Sequence, residues 1–271
     1  MLLEKVNESI KYIKSKTGLE PTIGVILGTG LGEFVDMIEN QVIIPYEEIP
    51  NFPASTAPGH EGRLIIGECM NKAVLCMQGR FHYYEGYSME EVTYPIRVMQ
   101  KLGLENLIIT NAAGGLNSKL RPGDLMIIDD HINFMGNNPL IGQNQDAFGP
   151  RFVDMSKSYD PELIKIAYKA AENVGISLRQ GVYVGYTGPS FETAAEIKLF
   201  NSFGGSAVGM STVPEVIVAN HGGLKVLAIS CITNLGTGIL DNPLSVEEVF
   251  ETATNAGVKF RKLLENIIDL I

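Results

Sequence analysis

Residues 23–32 read IGVILGTGLG, an apolar run that leads into three glycines and a threonine. The apolar residues at 22–28 are typical of a buried strand, and the glycines after them predict a tight turn into a helix over 30–38. Backbone N–H groups at such a turn can bind an anion, and the Thr29 hydroxyl adds a donor. A turn without a ligand fits the same pattern equally well. The stretch therefore indicates an α/β protein and leaves anion binding open.

The glycine spacing does not favour a dinucleotide site. G-x-G-x-G lacks the third glycine position of that fingerprint, and no acidic residue ends a second strand about 20 positions further on. The lysine of a nucleotide-binding P-loop is missing as well. A dinucleotide-binding oxidoreductase is therefore poorly supported.

Apolar runs and helical periodicity alternate along the rest of the chain. Strands are predicted at 22–28, 63–67, 73–77, 106–110, 124–129, 181–186, 206–209 and 225–232. Helices are predicted at 2–16, 30–38, 90–102, 160–174, 193–202, 213–222 and 245–269. Capping-box spacing marks three helix starts, Thr193 with Glu196, Thr212 with Glu215, and Ser245 with Glu248.

The strands at 63–67 and 73–77 are joined by a short turn near Asn71, which predicts an antiparallel pair and hence a mixed sheet. Two longer stretches, 45–62 and 131–156, resist regular structure and are expected to be functional or interfacial loops. No linker-like change of composition divides the chain. We expect one α/β domain over residues 1–271, with a central mixed β-sheet flanked by helices.

Composition limits the possible partners. The 271 residues include 31 acidic and 21 basic side chains, a net charge of −10, and no strong basic patch, which argues against nucleic acid and acidic membranes. Three cysteines and no visible secretion signal or membrane span favour the cytoplasm. The four histidines show no metal-ligand spacing, so no metal is expected.

An arginine and a histidine two residues apart, Arg80 and His82, follow the strand at 73–77. Side chains at this spacing can project to the same side and donate to one anion. An ion pair with Glu85 in a packed aromatic cluster is an equally good interpretation. Tyr84 offers a flat face with a polar tip, which suits contact with a sugar.

Further candidate ligand groups lie at the ends of later strands and the starts of later helices. Small residues at 110–115 allow a ligand to approach the backbone, although they also serve close packing. Phe191 and Glu192 precede a predicted helix, where a planar heterocycle can stack and hydrogen-bond. Ser211 lies in an incomplete hydrolase elbow, so it is better placed as an anion donor or N-cap than as a nucleophile. Asn234 ends the strand at 225–232, as a ligand group or a turn residue.

Together and in this order, the runs 78–86, 110–117, 188–193 and 210–218 resemble the trimeric purine nucleoside phosphorylases. The resemblance implies an α/β fold of the phosphorylase/hydrolase type and a homotrimer. It implies phosphate-dependent cleavage of purine ribonucleosides to free base and ribose 1-phosphate, in purine salvage. Phosphate is then a co-substrate, and no cofactor is expected.

The resemblance also implies roles for individual residues. It makes His60, His82, Glu192 and Asn234 the candidate catalytic residues. Phosphate would be bound by Thr29, Arg80, His82, the backbone at Ala112, and Ser211, with His60 lying over it. Ribose would contact Tyr84 and Met210, and Phe152 would close a neighbouring subunit's site. The base would lie among Ala112, Phe191, Glu192, Val208, Met210 and Asn234.

The chemistry of these groups favours 6-oxopurines. Asn234 can hydrogen-bond purine N7 as the leaving base gains electron density. A Glu192 carboxylate can only accept a hydrogen bond, which suits the N1–H of hypoxanthine or guanine and opposes the bare N1 of adenine. We therefore expect inosine, guanosine and their 2′-deoxy forms as substrates.

One position departs from the pattern. Related enzymes often carry a histidine that contacts the ribose 5′-hydroxyl just before the acidic pair of the final helix, and Val246 stands at that place here. A valine would better tolerate an apolar 5′ substituent, a trait of methylthioadenosine phosphorylases. That activity is the enzymatic alternative, and a non-catalytic nucleoside-binding protein is the alternative from another class.

Overall fold

The computed structural model describes residues 1–57, 59–239 and 245–271. Pro58, which begins the Pro-Gly-His run before the third strand, lies outside the described residues. The helices are α1 (Leu2–Lys16), α2 (Met89–Leu102), α3 (Pro161–Asn173), α4 (Ala194–Ser202), α5 (Val213–His221) and α6 (Val246–Leu270). The strands are β1 (Ile23–Ile26), β2 (Glu39–Pro45), β3 (Arg63–Cys69), β4 (Lys72–Gln78), β5 (Asn106–Gly115), β6 (Leu125–Asn133), β7 (Leu178–Gly185), β8 (Gly205–Gly209) and β9 (Lys225–Leu235).

The strands form one mixed sheet in the order β2-β3-β4-β1-β5-β8-β7-β6-β9. β1 is parallel to both β4 and β5, whereas β2, β3 and β4 are antiparallel neighbours. β5 also pairs with β9, so β5, β8, β7, β6 and β9 close into a ring. The predicted fold class, a central mixed sheet flanked by helices, is confirmed.

Apolar residues from both faces of the sheet build the core. β1 illustrates the arrangement, because all four of its residues are buried and its side chains alternate between two large apolar clusters. α2 and α5 pack with the cluster that contains Ile26, and α3 and α6 pack with the one that contains Val25. A strand buried on both faces reads as a continuous apolar run, which is why the sequence shows it so clearly.

In the segment after the glycine turn, the structure differs from the predicted secondary structure. The helix predicted over 30–38 is a short 3-10 helix, Gly32–Met37, in which the Ile38 amide donates to Val35 O three residues back. The unpredicted strand β2 follows directly. Its first three residues are polar and exposed, and it ends at Pro45 on the edge of the sheet, where a missing N–H is tolerated. It therefore carries little of the apolar alternation that reveals a strand.

All three predicted helix starts are confirmed, but the side-chain cap forms at only two of them. The Thr193 side chain accepts from the Glu196 amide in a complete capping box, and the Ser245 hydroxyl accepts from the Glu248 amide. Thr212 makes no side-chain cap. Its hydroxyl and the Glu215 carboxylate turn instead toward Arg80 beneath the site described below.

The predicted turn near Asn71 joins β3 and β4 in an antiparallel pair, with Cys69 opposite Lys72. The region predicted to be irregular at 131–156 contains the last residues of β6 and otherwise no helix or strand. Among the described helices, none is long and apolar enough to cross a membrane.

Candidate active site

A cavity of about 150 Å³ opens where the carboxyl ends of β1, β5, β8 and β9 meet. This is the edge at which open α/β sheets hold their ligands. The predicted site residues that line it are Thr29, Arg80, His82, Tyr84, Ala112, Phe191, Glu192, Val208, Met210, Ser211 and Asn234. Segments far apart in the sequence therefore converge on one site.

The glycine turn after β1 lies directly on β5. A Cβ on Gly28 would lie 2.7 Å from the Asn111 Cα atom and 2.9 Å from Thr110 O, so only glycine allows this approach. The Gly28 amide donates to Thr110 Oγ1 at 2.9 Å. These contacts fix the turn that places Thr29 in the cavity wall.

His82 is held by a neighbouring carboxylate. Glu85 Oε1 lies 3.0 Å from His82 Nδ1 and accepts from the His82 amide at 2.8 Å. Burial alone would raise the pKa of Glu85, but the hydrogen bonds from His82 and from Thr56 outweigh it and lower that pKa to about 2. The carboxylate therefore stays ionised and orients the His82 ring, which stacks on Tyr84 with ring centroids 4.7 Å apart.

His60 does not line the cavity itself but reaches its wall. Its Nδ1 lies 2.9 Å from the Arg80 amide nitrogen and 3.0 Å from Arg80 O, and its Nε2 lies 3.4 Å from Thr29 Oγ1. Burial, and next the charge of His82, lower the pKa of His60 to about 4. The ring is thus neutral near pH 7.

Arg80 and His82 line the same cavity, as expected of side chains that project to the same side, but they bind different protein partners. β4 ends at Gln78, and both residues lie in the loop beyond it. Arg80 is 2% exposed and pairs with Glu215 Oε1 at 3.2 Å, and it also donates to Thr110 O. The alternative ion pair with Glu85 therefore applies to His82, whereas the partner of Arg80 is Glu215.

A carboxylate, Glu192, and an amide, Asn234, also line the cavity. Glu192 is 6% exposed, and burial raises its pKa. Asn234 accepts from the Thr233 hydroxyl at 2.9 Å through Oδ1, and its Nδ2 donates to Leu235 O at 3.2 Å. Since Nδ2 carries two hydrogens, one donor remains for a ligand.

Two predicted residues do not join this cavity. Phe152 is 86% exposed and lines a separate cavity of about 470 Å³ with Ile141. Val246 is 51% exposed at the start of α6. Val249, one helical turn further on, is the residue of α6 that lines the site.

Several site residues were not predicted. Asn111 and Thr233 line the cavity and belong to strand ends that the sequence analysis singled out, so their polarity was an available signal. Glu85 and Glu215 act through His82 and Arg80, and Glu215 was wrongly assigned to a helix cap. Within the described residues, no cluster of three His, Cys, Asp or Glu side chains could hold a metal ion.

Comparison with known proteins agrees with this geometry. A family model described as the phosphorylase superfamily matches residues 22–269. Purine nucleoside phosphorylase 1 of Bacillus subtilis (strain 168) is 54% identical over 265 residues, 98% of each chain. Crystal structures of Schistosoma mansoni purine nucleoside phosphorylase in complex with adenosine and with inosine are 43% identical, each with a TM-score of 0.94. Both cover 98% of this chain, and 97% and 96% of the solved chains.

The fold, the strand-end cavity and these matches define an enzyme of the phosphorylase superfamily. Within that superfamily, the chain belongs to the purine nucleoside phosphorylases, which are pentosyltransferases. The recognition made from the four sequence runs is confirmed at the level of this family.

Proposed function

We propose that this enzyme catalyses the reversible phosphorolysis of 6-oxopurine nucleosides, namely inosine, guanosine and their 2′-deoxy forms. The products are the free base and (deoxy)ribose 1-phosphate, and the reaction serves purine salvage. One observation carries the proposal. A buried carboxylate, Glu192, lines the same cavity as a set of anion donors, Thr29, Arg80, His82 and Ser211.

The phosphate end would be formed by Thr29, Arg80, His82, Ser211 and the Ala112 backbone, with neutral His60 behind Thr29. These groups supply hydroxyl, amide, imidazole and guanidinium donors at one wall of the cavity. Donors of this kind favour a phosphate against the negative charge of the whole chain.

At the base end, Glu192 accepts the N1–H of a 6-oxopurine and Asn234 donates to N7. Phe191 and Val208 line the cavity as apolar walls, and Met210 and Tyr84 complete the space for ribose. The proposal receives support from a relative, since Schistosoma mansoni purine nucleoside phosphorylase has been solved with inosine. The same relative has also been solved with adenosine, so base preference has to be measured on this chain.

The reaction breaks the bond between ribose C1′ and purine N9 and forms a bond from C1′ to a phosphate oxygen. As the first bond lengthens, ribose becomes cationic and the purine anionic. Phosphate faces the cation, while the hydrogen bond that Asn234 Nδ2 donates to N7 strengthens as that atom gains electron density. The purine leaves as an anion and takes its proton from solvent. This displacement by phosphate requires no covalent enzyme intermediate.

The proposal is tested by measuring reaction rates with inosine, guanosine, adenosine and methylthioadenosine, each with and without phosphate. These rates test both the type of reaction and the substrate preference. We expect turnover only with phosphate, and kcat/KM for inosine about 5- to 150-fold above that for adenosine, because adenine leaves a buried polar group unpaired. Equal rates for inosine and adenosine would refute the base preference. Equal turnover without phosphate would refute phosphorolysis.

Methylthioadenosine phosphorylase activity is the second candidate. Two apolar residues of α6 favour it, because they would tolerate an apolar 5′ substituent: Val249, which lines the cavity, and Val246, one turn before it. Glu192 and Asn234 oppose it, because they match a 6-oxopurine. A kcat/KM for methylthioadenosine above that for inosine in the same assay would establish this alternative.

A homotrimer would give Phe152 a function. The side chain is exposed in the single chain and does not line the chain's own cavity, as expected if it closes the site of a neighbouring subunit.

Sedimentation should give three times the mass of one chain. Phe152→Ala should raise KM for inosine, whereas Phe203→Ala, at another exposed phenylalanine, should leave it unchanged. A fully active monomer would contradict this arrangement.

We also place the enzyme in the cytoplasm, as one domain over residues 1–271. The three cysteines, Cys69, Cys76 and Cys231, are free and buried, which is compatible with a reducing compartment. Fractionation of the source cells would test the location directly.

A further inference from the structure

The residue after Ser211 has a strained backbone. Thr212 lies at φ 72° and ψ −51°, and the Val213 amide donates to Ser211 O at 2.8 Å. This is a γ-turn of the rare positive-φ form, in a β-branched residue that avoids this region. Such outliers persist only where the surroundings hold them in place, and they cluster at functional sites.

The Thr212 hydroxyl explains what holds the turn. Asn111 Nδ2 donates to Thr212 Oγ1 at 2.8 Å, and Arg80 Nη1 donates to it at 3.4 Å. Amide nitrogens and guanidinium groups only donate, so the hydroxyl oxygen accepts both hydrogen bonds. The remaining partner is Ser211 Oγ at 3.1 Å, and the Thr212 hydroxyl proton is therefore directed to it.

This direction determines how Ser211 can act. Because Ser211 Oγ accepts from Thr212, its own proton is free to point into the cavity, which Ser211 lines. The Ser211 amide is held in turn near Tyr183 Oη at 3.5 Å. A chain of donors thus runs from buried Arg80 and Asn111 through Thr212 to the cavity wall.

We propose that Thr212 is a positioning residue, which commits the Ser211 hydroxyl to donating a hydrogen bond to the phosphate co-substrate. The inference rests on the phosphate site proposed above. Thr212 is fully buried, and its hydroxyl reaches the phosphate site mainly through Ser211, because its other partner there, Arg80, is also held by Glu215 and Thr110 O. Its effect is therefore specific to the phosphate end of the cavity.

Thr212→Ser and Thr212→Ala test the role, because they remove the same methyl group and differ only in the hydroxyl. Thr212→Ser should keep the phosphate KM near that of wild type. Thr212→Ala should raise the phosphate KM about tenfold, the effect of one hydrogen bond to a charged group, with the inosine KM changed less than about twofold. Phosphate should also raise the melting temperature of Thr212→Ala less than that of Thr212→Ser.

A buried threonine far from the cavity provides the matched control. The Thr93 hydroxyl donates to Met89 O within α2, and Thr93→Ala should change stability without changing either KM. If Thr212→Ala also alters only stability, or raises both KM values equally, the positioning role is refuted.

A double variant that combines Ser211→Ala with Thr212→Ala makes the test independent of how well Thr212→Ala folds. Ser211→Ala alone should raise the phosphate KM, and adding Thr212→Ala should raise it less than about twofold further, because Thr212 acts through Ser211. Additive effects would overturn the inference. Wild-type turnover that does not depend on phosphate would instead refute the proposed function, which separates the two failures.

Discussion

His60 shows how its surroundings set the protonation state of a single residue. Burial and the nearby His82 lower its pKa to about 4, and the Arg80 amide occupies Nδ1. The neutral ring lies with its Nε2 3.4 Å from Thr29 Oγ1. For this single residue, burial and the neighbouring groups together set the protonation state.

The lowered pKa of His60 makes stability depend on pH. As the pH falls from the ordinary value of 6.5 toward 4, the unfolded chain binds a proton at His60 that the folded chain does not, so the free energy of unfolding decreases. Because the ring is partly exposed, the loss between about pH 7 and about pH 4.5 should be on the order of 1 kcal/mol. Urea unfolding of His60→Gln should lack this part of the decrease. Identical pH dependence in both proteins would contradict the prediction.

Replacing Glu192 should relax the choice of base. Glu192→Gln introduces a donor as well as an acceptor, so the ratio of kcat/KM for inosine over adenosine should fall about tenfold. Glu196→Gln is the matched control, since Glu196 lies four residues further along the chain, caps α4 and does not line the cavity. The ratio should be unchanged in Glu196→Gln, and an unchanged ratio in Glu192→Gln would place the discrimination elsewhere.

Removing the Asn234 amide should act on the chemical step. Asn234→Ala should lower kcat for inosine by on the order of 10², because its hydrogen bond to N7 strengthens in the transition state. Asn201→Ala, at an exposed asparagine, should leave kcat unchanged. A near-normal kcat in Asn234→Ala would rule out its role in leaving-group activation.

At the scale of elements, the strands that carry the site were the easiest to predict. β1, β5 and β9 are buried on both faces, so their sequences are nearly continuous apolar runs. β2 was missed because it is an edge strand with a polar first half. β5 and β9 are longer than predicted, because they continue into the small and polar residues that line the cavity, whereas β1 is shorter than predicted.

The close approach of the glycine turn after β1 to β5 allows a direct test. Gly28→Ala places a Cβ 2.7 Å from the Asn111 Cα atom, where the backbone has to move, and should lower the free energy of unfolding by about 1–3 kcal/mol. Gly18→Ala is the control, because a Cβ there meets nothing within 4 Å. Chemical denaturation of both variants measures the difference, and equal stability would show that the turn does not depend on this approach.

At the scale of the whole molecule, the site joins residues that sequence spacing could not connect. Arg80 and Glu215 are 135 positions apart, and nothing local shows that the carboxylate leaves its helix cap to pair with the arginine. The order of motifs predicted the family and the cavity residues. Buried partners such as Glu215 and Thr212 depend on the closed ring of strands, which brings α5 against the loop after β4.

The sheet also explains how opposite requirements meet in one cavity. Anion donors come from the ends of β1 and β4 and the start of α5, whereas the carboxylate of Glu192 comes from the loop before α4. With both kinds of group in one cavity, phosphate and a purine can lie on opposite sides of a ribose. This arrangement is the structural basis for the proposed transfer of ribose from base to phosphate.

The identity of the sugar product tests this account most directly. Inosine and phosphate incubated with the enzyme should give ribose 1-phosphate, seen by phosphorus NMR, in equal amount to hypoxanthine. Free ribose in place of ribose 1-phosphate would show that water, not phosphate, attacks the ribose, and would contradict the assignment of the donors around Ser211 to a phosphate co-substrate.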